Sequence, residues 1–399
     1  MGAGVVCAGA AALGQGLPPV EAGTYSVTRI DPLPGDSSVT LFAINNRGEA
    51  VGVSYGSPIS NQRPFVYRPG VNGAAGTVTV IPFPAGKTFS VPMDINDNGV
   101  VVGYAQSTWS DEQGMTPWVW DSATGAMSGL PGRGVATLNN INNGGAFVGR
   151  SYIGVTSLTC YYQGQVGSAA TATFGSANDY SSSQWRFVDI NDPGQVLYTV
   201  NGGLGAAVRR EPGGAVTALP QSSEGYPRTY TWAINNSGLC LARYERNVGS
   251  QYFSKAFVWS PETGARFVGT PGNFVFGRGL NNPGQVVGES GTNRNSVISI
   301  WLSMPDGRTV DVRGLPATET NLSGVWGIND AGQIIARAFT PTANFAVVLT
   351  PPAVQLPACV ADLGGQGGVI GADGQLDNND FIAFISLFFD ADARADVGA

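Results

Sequence analysis

The C-terminal region carries closely spaced carboxylates of the kind that bind calcium. Ca2+ takes about six to eight oxygen ligands, and a glycine gives its loop a sharp turn. Counted as an EF-type loop that ends at Asp380, the segment places Asp377 ninth, Gln375 seventh through its carbonyl, and Asp373 fifth. The early ligand positions lack carboxylates, so Asp362 has to supply the first one across a glycine-rich stretch. These five residues are the predicted Ca2+ ligands, and the alternative is a solvated linker before an amphipathic helix.

Two further carboxylates could do acid–base chemistry. Asp94 and Asp189 occupy equivalent places, each directly before an Ile-Asn pair that recurs along the chain. Glycosidases use two carboxyl groups roughly 5 to 10 Å apart, one of which is the acid. If both residues face one cleft, they could cleave a glycan. The alternative is that each carboxylate accepts hydrogen bonds from backbone amides of nearby turns.

The recurring asparagines and a set of aromatic residues are the remaining candidates for binding. An asparagine at the start of a turn bonds its own backbone, so turn capping is the simpler interpretation of the asparagines. The aromatic residues could stack on sugars, but alternating aromatics more often fill apolar layers. The asparagines are Asn45, Asn96, Asn142, Asn191, Asn235, Asn281 and Asn329, and the aromatics are Trp118, Trp120, Tyr162, Trp259 and Trp301.

The composition excludes several functions. The chain has no histidine, which removes Ser-His-Asp and Cys-His catalysis and His-ligated zinc. Its net charge is −7, from 21 basic and 28 acidic residues, without a basic cluster, so nucleic acid is not an expected partner. Charged residues make up only 12%, whereas glycine (57) and proline (25) are abundant, which favours short strands and tight turns over long helices.

The cysteines and the N-terminal segment bear on the compartment. Cys7, Cys160, Cys240 and Cys359 form no Cys-x-x-Cys pair, so one disulfide or buried thiols are both open. An apolar run of small residues in the first fourteen positions is typical of a signal peptide, and residues 1–23 are interpreted as its remnant and a leader. No apolar stretch of about 20 residues predicts a membrane span. We therefore expect an exported protein.

The elements that must position these residues follow from a repeat. The asparagines recur at intervals of 44 to 51 residues, each after Ile or Leu and each followed three places later by glycine. Every copy reads as four short strands, illustrated by Leu41–Asn45, Val100–Tyr104, Pro117–Trp120 and Met127–Pro131. Four strands per unit of roughly 45 residues is typical of a propeller blade. The prediction is an all-β, seven-bladed propeller of four-stranded blades over 24–357, with a small calcium-loop and helix appendage over 358–399.

The two ends of the array predict how the ring closes. The last copy stops at Pro351-Pro352 without a fourth strand, whereas the segment Tyr25–Pro34 before the first copy resembles one. If this N-terminal strand completes the last blade, the sheet has no open edge. We expect a monomeric ring on this basis.

Two families are similar to parts of this sequence. The phrase Ile-Asn-[Asn/Asp]-x-Gly-x-Val-Val-Gly with Ala-Phe-Val-Trp resembles the extracellular HAF repeat over roughly residues 25–350. The histidine that names this repeat is replaced, for example by Arg63, Thr116 and Lys255. The resemblance implies an exported repeat protein and supplies no catalytic residue.

The tail resembles the dockerin-like modules of secreted planctomycete proteins, which combine Ala-Asp-x-Gly with Asp-Asn-Asn-Asp-Phe. Such modules consist of two halves. Ala395–Ala399 repeats Ala361–Gly365 at an interval of 34 residues, so we expect a truncated second half. The resemblance implies calcium binding and anchoring at the cell surface.

The function expected from the sequence is an extracellular or cell-surface binding or scaffold protein without catalysis, held by its calcium-binding tail. Its partner would be a cell-surface anchoring protein or a polysaccharide. The alternatives are a carbohydrate-active enzyme that uses Asp94 and Asp189, and a surface-layer component that self-associates through Phe381–Phe389.

Overall fold

The structure, a computed structural model, describes residues 20–352 and the pairs 364–365 and 369–370. The gaps within the first range are 57–61, 72–73, 109–114, 130–135, 154–157, 169–170, 179–187, 201–204, 294–295 and 319. Residues 20–351 form one compact unit. Most of the predicted leader and almost all of the predicted tail module lie outside the described residues.

The compact unit is a seven-bladed propeller in which each blade is a four-stranded antiparallel sheet, which confirms the predicted fold class. Within blades 1 to 6 the strands are in sequence order, so each blade is a meander whose first strand is innermost. Blade 1 contains β2 (Ser38–Ile44), β3 (Ala50–Tyr55), β4 (Arg63–Arg68) and β5 (Thr77–Val80); blade 2 contains β6 (Phe89–Ile95), β7 (Val100–Gln106), β8 (Thr116–Asp121) and β9 (Met127–Gly129); blade 3 contains β10 (Ala136–Ile141), β11 (Ala146–Ile153), β12 (Leu158–Gln165) and β13 (Thr171–Asn178).

The remaining blades have the same order, and only blade 7 takes a strand from the other end of the chain. Blade 4 contains β14 (Val188–Ile190), β15 (Val196–Val200), β16 (Ala206–Arg210) and β17 (Val216–Ala218); blade 5 contains β18 (Arg228–Ile234), β19 (Cys240–Val248), β20 (Gln251–Ser260) and β21 (Gly264–Phe267); blade 6 contains β22 (Phe274–Leu280), β23 (Val286–Asn293), β24 (Ser296–Ser303) and β25 (Thr309–Asp311); blade 7 contains β26 (Leu322–Ile328), β27 (Ile334–Phe339), β28 (Asn344–Thr350) and β1 (Ser26–Ile30).

Strand β1 closes the ring. It pairs with β28 from Ser26 opposite Thr350 to Ile30 opposite Ala346, so the N-terminal segment supplies the outer strand of blade 7. Just before it, Tyr25 bridges to Pro316, and burial raises the pKa of its phenol to about 12. The chain ends are thus joined by a backbone ladder that covers the edge of β28.

The turn after each first strand follows the sequence pattern. In blade 1 the amide of Gly48 donates to the carbonyl of Asn45 over 3.0 Å, and the same bond recurs in every blade. All seven turn glycines have positive φ, between 75° and 85°. Only glycine adopts this region without steric cost, which explains why the sequence repeats it.

Aromatic side chains of the third strands fill the layers between blades. Trp118 packs against Val51 and Val66 of blade 1, and Trp301 packs against Leu241 of blade 5. Trp118, Trp120, Tyr162, Trp259 and Trp301 are all at most 7% exposed. A sugar cannot reach these five rings, so they are core residues.

The second strand makes room for these rings. Gly103 lies opposite Trp118, and Gly288 lies opposite Trp301. A Cβ on Gly288 would lie 2.3 Å from the indole of Trp301, closer than any real contact. The glycine of the repeated Val-Val-Gly therefore leaves the space that the aromatic ring of the third strand fills.

The second described unit contains only a short hairpin of β29 (Gly364–Gly365) and β30 (Val369–Ile370). No helix in the described part of the chain is long and apolar enough to cross a bilayer.

Candidate functional site

All seven blades meet around one axial cavity at the end of the ring that carries the Asn-x-x-Gly turns. The cavity has a volume of about 170 Å³. Each blade lines it with the last apolar residue of its first strand, the repeated asparagine and the residue after that asparagine, and Asp94 adds to the lining. This cavity is the candidate functional site that the repeat itself builds.

The seven repeated asparagines form an inner ring that does more than cap turns. In each blade the Oδ1 atom accepts the amide four residues later, for example that of Glu49 on Asn45 over 2.9 Å. The same residue's Nδ2 donates to the carbonyl of the asparagine in the next blade, over 2.9 to 3.1 Å at all seven steps. The seventh step runs from Asn329 to Asn45 and completes the circle.

These asparagines are therefore both turn caps and links between blades. All seven are at most 7% exposed. A buried amide that loses its partner costs about 1 to 3 kcal/mol. The turn role can be predicted from a single repeat, whereas six of the links join residues 44 to 51 positions apart along the chain and the seventh joins residues 284 positions apart.

The residue after each asparagine forms a second, more exposed circle, here called the mouth ring. Each backbone amide in it donates to the Oδ1 atom of its neighbour in the next blade, over 2.7 to 2.9 Å, at all seven steps. The mouth ring consists, in blade order, of Asn46, Asp97, Asn143, Asp192, Asn236, Asn282 and Asp330.

Aspartate and asparagine alternate in the mouth ring for a physical reason. The Oδ2 atom of each aspartate accepts from the Nδ2 atoms of both flanking asparagines; Asn143, for instance, donates to Asp97 over 2.9 Å and to Asp192 over 3.1 Å. Two adjacent aspartates would lack a side-chain donor between them, and their carboxylates would repel each other. A ring of seven holds at most three non-adjacent carboxylates, and this ring holds three.

Because seven is odd, the alternation fails once, at the step from Asn236 to Asn282. Asn236 donates to Asp192 over 2.8 Å, and Asn282 donates to Asp330 over 2.8 Å. Each of these two amides uses one N–H in the ring, whereas Asn46 and Asn143 use two. Blades 5 and 6 therefore meet at the least saturated position of the mouth ring.

Asp94 and Asp189 both hold neighbouring blades. Asp94 Oδ2 accepts the amide of Ile141 in blade 3 over 2.9 Å. Asp189 Oδ2 accepts the amide of Ile234 in blade 5 over 2.8 Å, and its Oδ1 accepts the amide of Ile190. Both carboxylates thus accept hydrogen bonds from backbone amides near the turns, which is the alternative to acid–base chemistry that the sequence left open. Asp94 also lines the axial cavity.

The predicted calcium ligands Asp362, Asp373, Gln375, Asp377 and Asp380 lie outside the described residues. Within the described ranges, no three aspartate, glutamate or cysteine side chains are grouped so that they could hold a metal ion. Cys240 is a buried free thiol, and burial raises its pKa to about 12. The side chains of Cys7, Cys160 and Cys359 are not among those described.

Sequence reasoning missed a second feature of the inner strands. Six of them carry a register irregularity, a β-bulge, three residues before the repeated asparagine. A bulge leaves one residue outside the ladder and re-aims its side chain. The bulged residues are Phe42, Met93, Asn139, Trp232, Arg278 and Trp326, and their alignment three places before the asparagine is the signal that could have revealed them.

No protein-family model matches the chain, and no curated protein is similar to it in sequence. Solved structures with a similar fold include virginiamycin B lyase from Staphylococcus aureus, with 10% identity over 82% of this chain and 99% of that one and a TM-score of 0.47. TolB from Acinetobacter baumannii has 10% identity, coverage of 82% and 96%, and a TM-score of 0.42. The β-propeller domain of the Trilobed protease from Pyrococcus furiosus has 8% identity, coverage of 66% and 84%, and a TM-score of 0.48. These similarities carry no inference about activity.

Proposed function

We propose that this chain is an exported binding or scaffold protein without catalytic activity. One observation carries the proposal: the aspartates that line the axial cavity accept hydrogen bonds which hold neighbouring blades together. A general acid or base has to exchange a proton with the substrate during the reaction. If these aspartates exchanged protons with a substrate, they would disrupt the hydrogen bonds that hold neighbouring blades together.

The extracellular part of the proposal rests on sequence. The HAF-like repeat, the apolar first fourteen residues and the low charge content favour export to the cell surface or beyond. N-terminal sequencing of protein recovered from the medium of an expressing culture tests export; a chain retained with its first residues intact would contradict it.

We further propose that the dockerin-like tail binds Ca2+ and anchors the protein to a partner at the cell surface. The ligands would be Asp362, Asp373, Gln375, Asp377 and Asp380. Calcium calorimetry on the full chain should give one binding event that Asp373→Ala removes. Asp306→Ala, an exposed aspartate of blade 6, is the matched control and should leave the heat unchanged. Equal heats for both variants would refute the assignment.

A carbohydrate-active enzyme is the second candidate, because Asp94 lines the cavity that all blades share. Its mechanism would need Asp94 and Asp189 as the acid–base pair. Asp94→Asn and Asp189→Asn would then abolish turnover while the chain stays folded.

The experiment that separates the two candidates is incubation of the full chain with insoluble and soluble polysaccharides. Depletion of the protein from solution measures binding, and released reducing sugar measures turnover. We expect depletion without release. Sugar release that disappears in Asp94→Asn would establish the enzyme and overturn the proposal.

A further inference from the structure

Four bulged side chains form a continuous arc on the inner strands of consecutive blades 5, 6, 7 and 1. Trp232, Arg278, Trp326 and Phe42, here called the aromatic arc, are all partly exposed. The guanidinium carbon of Arg278 lies 5.5 Å from the ring centre of Trp232 and 5.3 Å from that of Trp326. Phe42 meets Trp326 edge-to-face with ring centres 6.1 Å apart. The arc is therefore a sequence of planar groups with a cation between two indoles.

The arc breaks the symmetry of the repeat. At the same position, blades 2, 3 and 4 carry Met93, Asn139 and Val188, all at most 5% exposed. The bulge by itself does not require large, partly exposed side chains, since blades 2 and 3 have the same bulge with buried residues, whereas Val188 of blade 4 is paired within the ladder. Large, partly exposed side chains on one side of the ring only are instead typical of a binding surface.

Fixed contacts hold the arc in place. Trp232 Nε1 donates to the carbonyl of Arg278 over 2.8 Å. Arg278 Nη2 donates to Glu289 over 2.9 Å, and the other carboxylate oxygen of Glu289 accepts the amide of Val325 in blade 7. A Cβ at Gly324 would lie 2.6 Å from Oε1 of Glu289, so a larger residue there would displace this carboxylate. The binding groups are thus preorganised, which lowers the entropy lost on binding.

A buried ion pair lies behind the arc. Arg243 and Glu245 are both nearly inaccessible, and Arg243 lies 4.1 Å from the ring centre of Phe276. Burial alone would lower the pKa of Arg243, but its interactions with Glu245 and Tyr252 together outweigh burial and raise that pKa. Phe276 in turn contacts Trp232 edge-to-face with ring centres 6.3 Å apart. The arc therefore rests on a charged and aromatic base that keeps the indole of Trp232 in position.

The arc is distinct from the axial cavity, which it does not line. It lies further from the Asn-x-x-Gly turns, because its residues precede the apolar layer of Ile234, Leu280, Ile328 and Ile44 along each strand. The tips of the second–third strand hairpins lie at the opposite end of the ring. In blades 5, 6 and 7 these hairpins expose apolar residues, namely Val248, Ile298 and Phe339.

The charges around the arc select the chemistry of its ligand. The cation Arg278 already occupies the space between the two indoles, so a cationic ligand would be repelled. Glu289 neutralises Arg278, and the chain has a net charge of −7, so an anionic polymer gains no attraction. A neutral ring with a C–H face for the indoles and hydroxyls for the guanidinium edge satisfies every group.

We propose that the aromatic arc binds pyranose rings of a neutral polysaccharide, with the exposed parts of the Trp232 and Trp326 indoles as its apolar contacts and the Arg278 guanidinium as hydrogen-bond donor to the sugar hydroxyls. This inference rests on the proposed binding function and gives it a site and a ligand class.

The test measures retention of the full chain on neutral polysaccharides (cellulose, β-1,3-glucan, mannan and starch), with polygalacturonate as the anionic comparison. Trp232→Ala and Trp326→Ala should each weaken binding at least about tenfold, as expected for truncation of a central tryptophan. Trp232→Phe and Trp326→Phe keep an aromatic face and should lose less. Phe267→Ala removes an exposed aromatic of blade 5 away from the arc and should bind as the parent does.

The outcomes separate this site from the binding function. Retention that is equal in the parent and all four tryptophan variants overturns the arc and leaves a binding protein with another site. Retention on polygalacturonate alone overturns the neutral ligand. Failure to bind any polymer refutes both the site and the proposed function. If the alanine variants do not fold, as judged by circular dichroism, the phenylalanine variants decide.

Discussion

The alternation in the mouth ring predicts that one asparagine-to-aspartate change is costly and that the same change elsewhere in the ring is nearly neutral. Asn143 lies between Asp97 and Asp192 and donates to both. Asn143→Asp removes both hydrogen bonds, each contributing about 0.5 to 1.5 kcal/mol. It also places a carboxylate beside two others, at about 1 kcal/mol each in a solvated setting. After relaxation, the free energy of unfolding should fall by about 2 to 4 kcal/mol.

Asn236→Asp is the matched variant at the Asn–Asn step. It loses one hydrogen bond to Asp192 and gains a like charge there. On its other side the new carboxylate can accept the second N–H of Asn282, which the ring leaves unused. Loss and gain largely offset each other, so the expected cost is about 1 kcal/mol or less. Asn247→Asp, at an exposed hairpin tip, controls for the added charge.

Urea unfolding followed by tryptophan fluorescence, in low salt and in 0.5 M NaCl, measures these differences. High salt should recover part of the loss in Asn143→Asp, because it screens the carboxylate repulsion but does not restore the two hydrogen bonds. The control should match the parent in both salts. An unfolding midpoint for Asn143→Asp equal to that of the parent, or equal costs at positions 143 and 236, would refute the alternation as a source of stability.

Three further predictions concern buried groups. Ser290→Ala removes the hydroxyl that accepts from Trp301 Nε1 over 2.8 Å. In urea titrations the free energy of unfolding should fall by about 1 to 3 kcal/mol, and no change would show that this hydrogen bond contributes nothing. Ala105→Ser should create the same serine–tryptophan hydrogen bond in blade 2, where Trp118 Nε1 has no acceptor among the described residues. It should stabilise the protein by about 1 kcal/mol, and a lower urea midpoint would contradict this. Cys240, with a pKa raised to about 12 by burial, should not react with a thiol reagent at pH 8 until urea unfolds the chain, and Cys240→Ala identifies its signal; labelling in the native state would contradict its burial.

The blade architecture was predictable because its signals are local. Each turn glycine with positive φ, each aromatic third strand and each Val-Val-Gly reports on residues within one copy. Repetition at intervals of 44 to 51 residues then fixes the number of blades. The bounds of the outer strands were harder to predict; β25, for example, ends at Asp311, where a short 3₁₀ turn begins.

The candidate site was harder to predict because its contacts join different copies. The hydrogen bonds of the inner ring and the contacts of the aromatic arc join residues of neighbouring blades, so they exist only in the assembled ring. The alternation of asparagine and aspartate, beginning with Asn46 and Asp97, is visible when the repeats are aligned. Its physical reason, and its failure at one step, depend on a closed ring of seven positions. The roles of Asp94 and Asp189 followed the turn-amide interpretation because each lies beside an amide of the next inner strand.

The most direct test of the central claim, binding without turnover, is recovery of an oligosaccharide after prolonged incubation with the full chain. The oligosaccharide is taken from the polymer that retains the protein, and its mass is measured before and after. The proposed function predicts intact recovery, equal for the parent, Asp94→Asn and Asp189→Asn. Shortened oligosaccharide from the parent, but not from Asp94→Asn, would contradict the claim and identify the protein as a carbohydrate-active enzyme.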